Sequence, residues 1–293
     1  MRVDRALSAM RRPPPRVERA ALVLAAGVMI VTVVWLLHDG RLDPSAVVPL
    51  PLVLAALVGV PVTLATNAAE FWVSAWFVDR RVSAVFALRT TILATAANLL
   101  PLPGGPLVRV HALHRQGVAV TSASAATAAV GLSWLGLAGL VAAAGASHAG
   151  AAAWLITIFA AGGGVAVGLG LLLVSQVAVP GRRLSGAAAL LLTEAVSLFA
   201  AAGRLWLVLL ALGVEPSLPA VMVLAAAGVL ATAVGIVPAG LGVREGLSAL
   251  LATVVALPAA TGFAVSLLDR LIGLVVAIPL ALLLSRRVRD EVT

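Results

Sequence analysis

The sequence predicts an all-α, polytopic membrane helix bundle, with about eight spans, at least one re-entrant segment and a possible two-fold internal repeat. Three observations carry this. The 293 residues are 62% hydrophobic and only 11% charged, where soluble domains have roughly 45–50% apolar and about 25% charged residues. Mean hydropathy is +1.12. Apolar tracts long enough to cross a bilayer, which needs about 20 residues, recur from residue 20 to residue 284.

In chain order, residues 1–19 form a basic leader holding six arginines and the run Pro13-Pro14-Pro15. No convincing small-residue cleavage site follows it, so the leader and the tract at 20–37 read as a cytoplasmic arm and a first span, not as a signal peptide. Further candidate spans are 46–66, 118–143, 151–174, 187–212 and 218–237. The tract 246–284 is too long for one helix. Pro258, followed by Ala259-Ala260-Thr261-Gly262, divides it into a short piece at 246–258 and a span at 260–284. A tail occupies 285–293. The whole of 20–284 reads as one transmembrane domain with possible halves 20–145 and 150–284.

Segment 82–107 is different. It carries Arg89, Thr90, Thr91, Thr95 and Asn98, then three prolines and two glycines in a few residues. It suits a span inside the bundle or a re-entrant segment. Arginine placement favours the second. With 92–107 dipping in and returning, every loop arginine except Arg41 falls on the side of the N-terminus, as the positive-inside rule expects. Both termini are then cytoplasmic and the membrane is the cell membrane.

Composition also excludes chemistry. Cysteine is absent, which removes disulfides, thiol nucleophiles and thiolate metal sites. All twenty basic residues are arginine, so lysine chemistry is excluded too. The net charge of +8 sits in short loops and termini, which points to topology and anionic lipid rather than nucleic acid. No G-x-S-x-G or nucleotide-binding motif occurs. His111 and His114 could share a helix face, but Arg109 and Arg115 flank them and disfavour a cation. No metal, cofactor or enzymatic activity is expected. Gly164-x-x-x-Gly168 is expected to allow close helix approach. Trp35, Trp72, Trp76, Trp134, Trp154 and Trp206 are expected to anchor or pack.

The feature most informative about function is an echo. Residues 103–109 read PGGPLVR and residues 238–244 read PAGLGVR; both fit P-x-G-x-x-V-R. Paired helix breaks at corresponding places in two halves point to a transporter site. A break exposes backbone amides at the start of the next helix, where the dipole is positive, and a neighbouring arginine completes an anion site. The candidate phosphate-binding residues are Asn98, Gly105 and Arg109 in the first half. In the second half they are Pro238, Gly240, Gly242, Arg244 and Glu245. Glu245 is expected to orient Arg244 or to exchange a proton. Arginines that only snorkel to the lipid surface are the plain alternative. Glu194, Arg204, Asp269 and Arg270 lie in or near apolar spans. Such groups face the bundle interior and serve either function or mutual pairing, for example Glu194 with Arg244 or Arg270.

NLLPLPGGPLVR (98–109) and GIVPAGLGVREG (235–246) resemble the flippase-like membrane-domain family named after the transmembrane half of lysylphosphatidylglycerol synthase. Its patterns are N-x-x-P-x-x-x-G-E-x-x-R and P-x-G-x-G-x-x-E, and the pair Arg270-Leu271 fits the start of its last span. The resemblance implies a helical bundle with re-entrant elements that moves lipids or lipid-linked molecules between leaflets. One departure matters: Pro106 stands where the family places glutamate, and Glu70 or Asp79 could substitute. The chain ends nine residues after position 284, so no aminoacyl-transferase domain is expected. The partner implied is a membrane phospholipid or lipid-linked substrate. The alternatives are a secondary transporter of a small anion and an accessory subunit of an envelope-glycolipid synthesis complex.

Overall fold

The computed structural model describes residues 48–98, 104–233 and 242–290; the side chains of 232, 233, 281, 282 and 284–290 are outside the description. The leader, the candidate span at 20–37, and Pro238 and Gly240 therefore lie outside the described residues. The described part is helical throughout. We number its helices α1 (Pro49–Phe77), α2 (Ala84–Ala97), α3 (Gly104–Arg115), α4 (Val120–His148), α5 (Ala153–Val177), α6 (Arg183–Ala211), α7 (Leu218–Ala233), α8 (Val243–Val254) and α9 (Ala259–Asp290). Helix is the only regular structure that satisfies every backbone group within a single segment in lipid.

Five helices are long and apolar enough to cross a membrane: α1, α4, α5, α6 with its preceding turn, and the first 22 residues of α9. Two others are apolar but short, Ala84–Ala97 and Leu218–Ala231. At 1.5 Å per residue a 14-residue helix rises about 21 Å, short of a hydrocarbon core of about 30 Å. The protein is a multi-pass helical membrane protein. The break expected around Pro258 is present, because α8 stops at Val254 and α9 starts at Ala259.

The long helices α1 and α6 pack antiparallel. Val48 N–H donates to the Ala211 carbonyl at one end of the pair, and Val179 N–H, just before α6, donates to the Phe77 carbonyl at the other. α1 is also irregular: residues Ala55–Gly59 form a π turn, a feature found often beside functional sites.

Helices α2 and α3 pack on each other across the first break, as α7 and α8 do across the second. α1 packs on α2 as α6 packs on α7, and α3 on α4 as α8 on α9. The lengths correspond too. α1 and α6 both span 29 residues, and α3 and α8 both span 12.

Close helix approach is achieved by glycine, but not at the positions expected. A Cβ on Gly164 or Gly168 would meet nothing within 4 Å, so that face of α5 is open. The contact with α4 runs through Gly163, whose Cβ would lie 2.7 Å from the Gly136 carbonyl oxygen, and Gly170, 2.5 Å from Ser133 Oγ. Successive residues on a helix point about 100° apart, so a glycine run with several registers does not name the packed one. Of the tryptophans, Trp72 and Trp154 are exposed, as interface anchors would be, and Trp76 packs under the Arg182 guanidinium.

Candidate functional site

Two clusters of charged side chains lie inside the bundle, both built on the α1–α6 pair. Each begins with a hydroxyl on one of these helices facing a charge on the other. Ser197 Oγ on α6 donates to Glu70 Oε1 on α1 at 2.5 Å. Arg204 Nη1 on α6 donates to Thr63 Oγ1 on α1 at 3.0 Å.

The first cluster gathers Glu70, Glu194 and Arg109. Arg109 reaches from α3 to Glu70 Oε2 at 3.4 Å and to the Asn67 carbonyl at 3.3 Å. Glu70 is therefore the carboxylate that meets Arg109. Asp79, the other candidate, sits outside the cluster and pairs with Arg182. Glu194 is 0% exposed. It lies in the field of Glu70 and Arg109, not beside Arg244 or Arg270. The expected pairing fails because Glu194 and Arg204 are ten residues apart on α6. That separation is about 15 Å along the axis, so each serves a different cluster.

The second cluster joins α6, α8 and α9. Asp269, 1% exposed, accepts from Arg204 Nε at 2.5 Å, Arg204 Nη2 at 3.0 Å and Arg244 Nη2 at 2.5 Å. Glu245, 0% exposed, pairs with Arg270 at 3.0 Å and accepts the Gly242 amide at 2.9 Å. Glu245 thus does not orient Arg244, as the sequence suggested. It caps the start of α8, where an anion is favoured by the helix dipole. Gly242 has φ +79°, a conformation that glycine adopts without penalty, and this turn delivers Arg244 and Glu245 to opposite partners on α9. Gly228 on α7 leaves room for Arg244: a Cβ there would lie 3.4 Å from its Nε. That nitrogen has no hydrogen-bond partner among the described residues, and the Arg244 side chain keeps 23% of its surface accessible.

The first break is organised differently. Asn98 Oδ1 accepts the Gly105 amide at 2.8 Å, so the side chain of Asn98 caps α3 and occupies the amide that an anion would use. Arg109 is the sixth residue of α3, whereas Arg244 is the second of α8. The shared P-x-G-x-x-V-R spacing places them one helical turn apart relative to their helix starts. His114 Nδ1 lies 3.0 Å from the Val118 carbonyl and closes the turn after α3.

Beside the second cluster is an apolar groove of about 550 Å³ between α1, α6 and α7. Gly59, Val62, Phe199, Trp206 and Leu218 contribute to its walls, and Arg204 is the charged residue in it. Gly59, in the π turn, lies against the Arg204 stem; a Cβ there would be 3.0 Å from Arg204 Cγ. Sequence reasoning found Arg204 but not the groove. Its signal was the run of Ala200-Ala201-Ala202-Gly203 before the arginine, which leaves a trough on α6.

Compared with protein-family models and with curated proteins, the chain matches none.

Proposed function

We propose that this protein moves an amphipathic anion, a phospholipid or lipid-linked phosphate, between the leaflets of the cell membrane. The observation that carries this is the charge balance of the second cluster. Three guanidiniums, Arg204, Arg244 and Arg270, share two carboxylates, Asp269 and Glu245. Among the described residues one positive charge is left over, beside a groove with apolar walls. Intramembrane charge is costly and is kept where a partner or ligand offsets it. A phosphate head would take the surplus charge on Arg244, and an acyl or polyprenyl chain would lie along the groove. The resemblance of the two broken motifs to flippase-like membrane domains points the same way.

The architecture supports alternating access between two halves. We read α1 to α3 with α4, and α6 to α8 with α9, as an internal duplication. The repeat partners α1 and α6 run antiparallel, so the pseudo-two-fold axis lies in the membrane plane and the repeat is inverted. The hairpins α2–α3 and α7–α8 are re-entrant from opposite faces. Five crossings, by α1, α4, α5, α6 and α9, and two re-entrant pairs then account for the described residues.

Native mass spectrometry of the detergent-purified protein tests the ligand class. Phosphatidylglycerol should be retained over phosphatidylcholine, and Arg244→Ala should abolish the preference. Equal retention of both lipids by wild type would refute the anion reading. Preference for a water-soluble phosphate over either lipid would favour a small-anion transporter.

A further inference from the structure

The first cluster has the opposite imbalance. Glu70 and Glu194 face a single guanidinium, Arg109. Arg109 is committed to Glu70 and to the Asn67 carbonyl. Glu70 has a second partner in Ser197. Glu194 is fully buried, and as a carboxylate neither of its oxygens meets a donor among the described residues. Glu194 lies one turn before Ser197 on the same face of α6, and Ser197 bonds Glu70, so the Glu194 carboxyl is placed beside that of Glu70. Two carboxylates cannot bond each other; a carboxylic acid and a carboxylate can, through the proton of the acid. An isolated ionised carboxylate in such a place carries a large desolvation penalty. A single proton removes both difficulties at once.

We propose that Glu194 and Glu70 form a proton-binding site inside the bundle, with one exchangeable proton carried by Glu194 and shared with Glu70. The other helices leave this pair to set the protonation state. α5 and α7 carry no titratable side chain, and α4 only His148 at its far end. On α2 the half-buried Arg89, and on α3 the exposed His111, His114 and Arg115, make no bond to either carboxyl among the described residues. On α6 itself Arg204 is turned to Asp269, and on α9 Asp269 and Arg270 are engaged with Arg204, Arg244 and Glu245. A hard metal cation fits less well, because it collects six or more oxygen ligands, and the groups converging here are two carboxyls and one hydroxyl. When the proton leaves, Glu194 competes with Glu70 for Arg109, which pulls on α3 and on the hairpin it closes. The site stands on its own geometry and does not depend on which substrate the protein moves.

Infrared spectroscopy of the full chain in lipid nanodiscs tests this without any transport assay. At pH 7 the wild type should show a buried carboxylic-acid C=O band that shifts in deuterium oxide. The band should be lost in Glu194→Gln. It should also be lost in Glu70→Gln, because the remaining acid then takes Arg109 and ionises. Raising the pH should remove the wild-type band reversibly. A wild type without the band would overturn the proposal, and so would a band that survives either substitution. A band indifferent to pH would mark a sealed proton and overturn its exchangeability. Loss of the band on adding sodium at constant pH would identify a cation site instead. Should one variant fail to fold, the other variant and the wild-type titration still decide.

Discussion

Ser197 and Glu70 are bonded across the α1–α6 interface, and Thr63 and Arg204 are bonded across the same interface in mirror order. Thr63 lies seven residues before Glu70, and Ser197 lies seven before Arg204. Each helix therefore presents a hydroxyl and a charge at the same spacing, and each hydroxyl serves the other helix's charge. The charges differ in sign. One half of the pair is built around a carboxylate that needs a cation or proton, the other around a guanidinium that needs an anion.

This relationship predicts the effect of removing the hydroxyls. A hydrogen bond to a charged group contributes about 1.5–3 kcal/mol. Ser197→Ala and Thr63→Val should each lower the melting temperature in detergent, and their effects should nearly add, because the two bonds share no partner. Thermal scans of the single and double variants check this. A double variant no less stable than either single one would contradict the separation into two clusters.

Asp269 holds two guanidiniums at once. Replacing it with asparagine leaves Arg204 and Arg244 facing each other without a counter-charge. Breaking one partner of a buried ion pair costs roughly 3–5 kcal/mol. Asp269→Asn should therefore be among the most destabilising substitutions in the bundle, well beyond Arg244→Ala, which leaves the Arg204–Asp269 pair intact. Melting temperatures of the two variants in the same detergent would decide it.

Helix contact between α4 and α5 gives a sharp positional test. Gly163→Leu places a side chain into the Gly136 and Gly139 backbone, whereas Gly164→Leu projects into open space. The first should lose yield and melting temperature, consistent with the one to several kcal/mol that overpacking costs. The second should behave as wild type. Equal loss in both would mean that the packed face of α5 is wrongly placed.

The same helix shows what could be read from sequence and what could not. Composition and tract length predicted a helical membrane bundle, because hydropathy acts over about twenty residues and tolerates small errors of register. The break at Pro258 was legible for the same reason that proline breaks any helix. The packed glycines were not, since Gly162, Gly163 and Gly164 are consecutive and only tertiary contact selects among them. The ion pairs were also out of reach. Arg244 and Glu245 are adjacent in sequence and suggest one another as partners, yet adjacent helical residues point about 100° apart. They pair instead with Asp269 and Arg270, themselves adjacent, so that two neighbours on α8 meet two neighbours on α9. Glu70 was singled out only as a stand-in for the acid missing at Pro106, and its pairing with Arg109 joins α1 to α3 across thirty-nine residues.

The proposed inverted repeat predicts sidedness. The chain has no native cysteine, so single cysteines can be placed cleanly. Gln116→Cys, in the turn after α3, should react with an impermeant maleimide only from the cytoplasmic side. Pro258→Cys, in the turn after α8, should react only from the outside. Labelling of both from one side would contradict the inverted reading.

The central claim is that the surplus guanidinium charge around Arg244 serves a lipid phosphate in transit. Leaflet exchange of fluorescent phosphatidylglycerol in vesicles reconstituted with purified protein measures this most directly. Wild type should exchange it faster than protein-free vesicles, and Arg244→Ala, checked for folding by its melting temperature, should fall at least about tenfold, the loss expected for one charge-assisted contact. Exchange by Arg244→Ala equal to that of the wild type, or wild-type exchange no faster than protein-free vesicles, would contradict it.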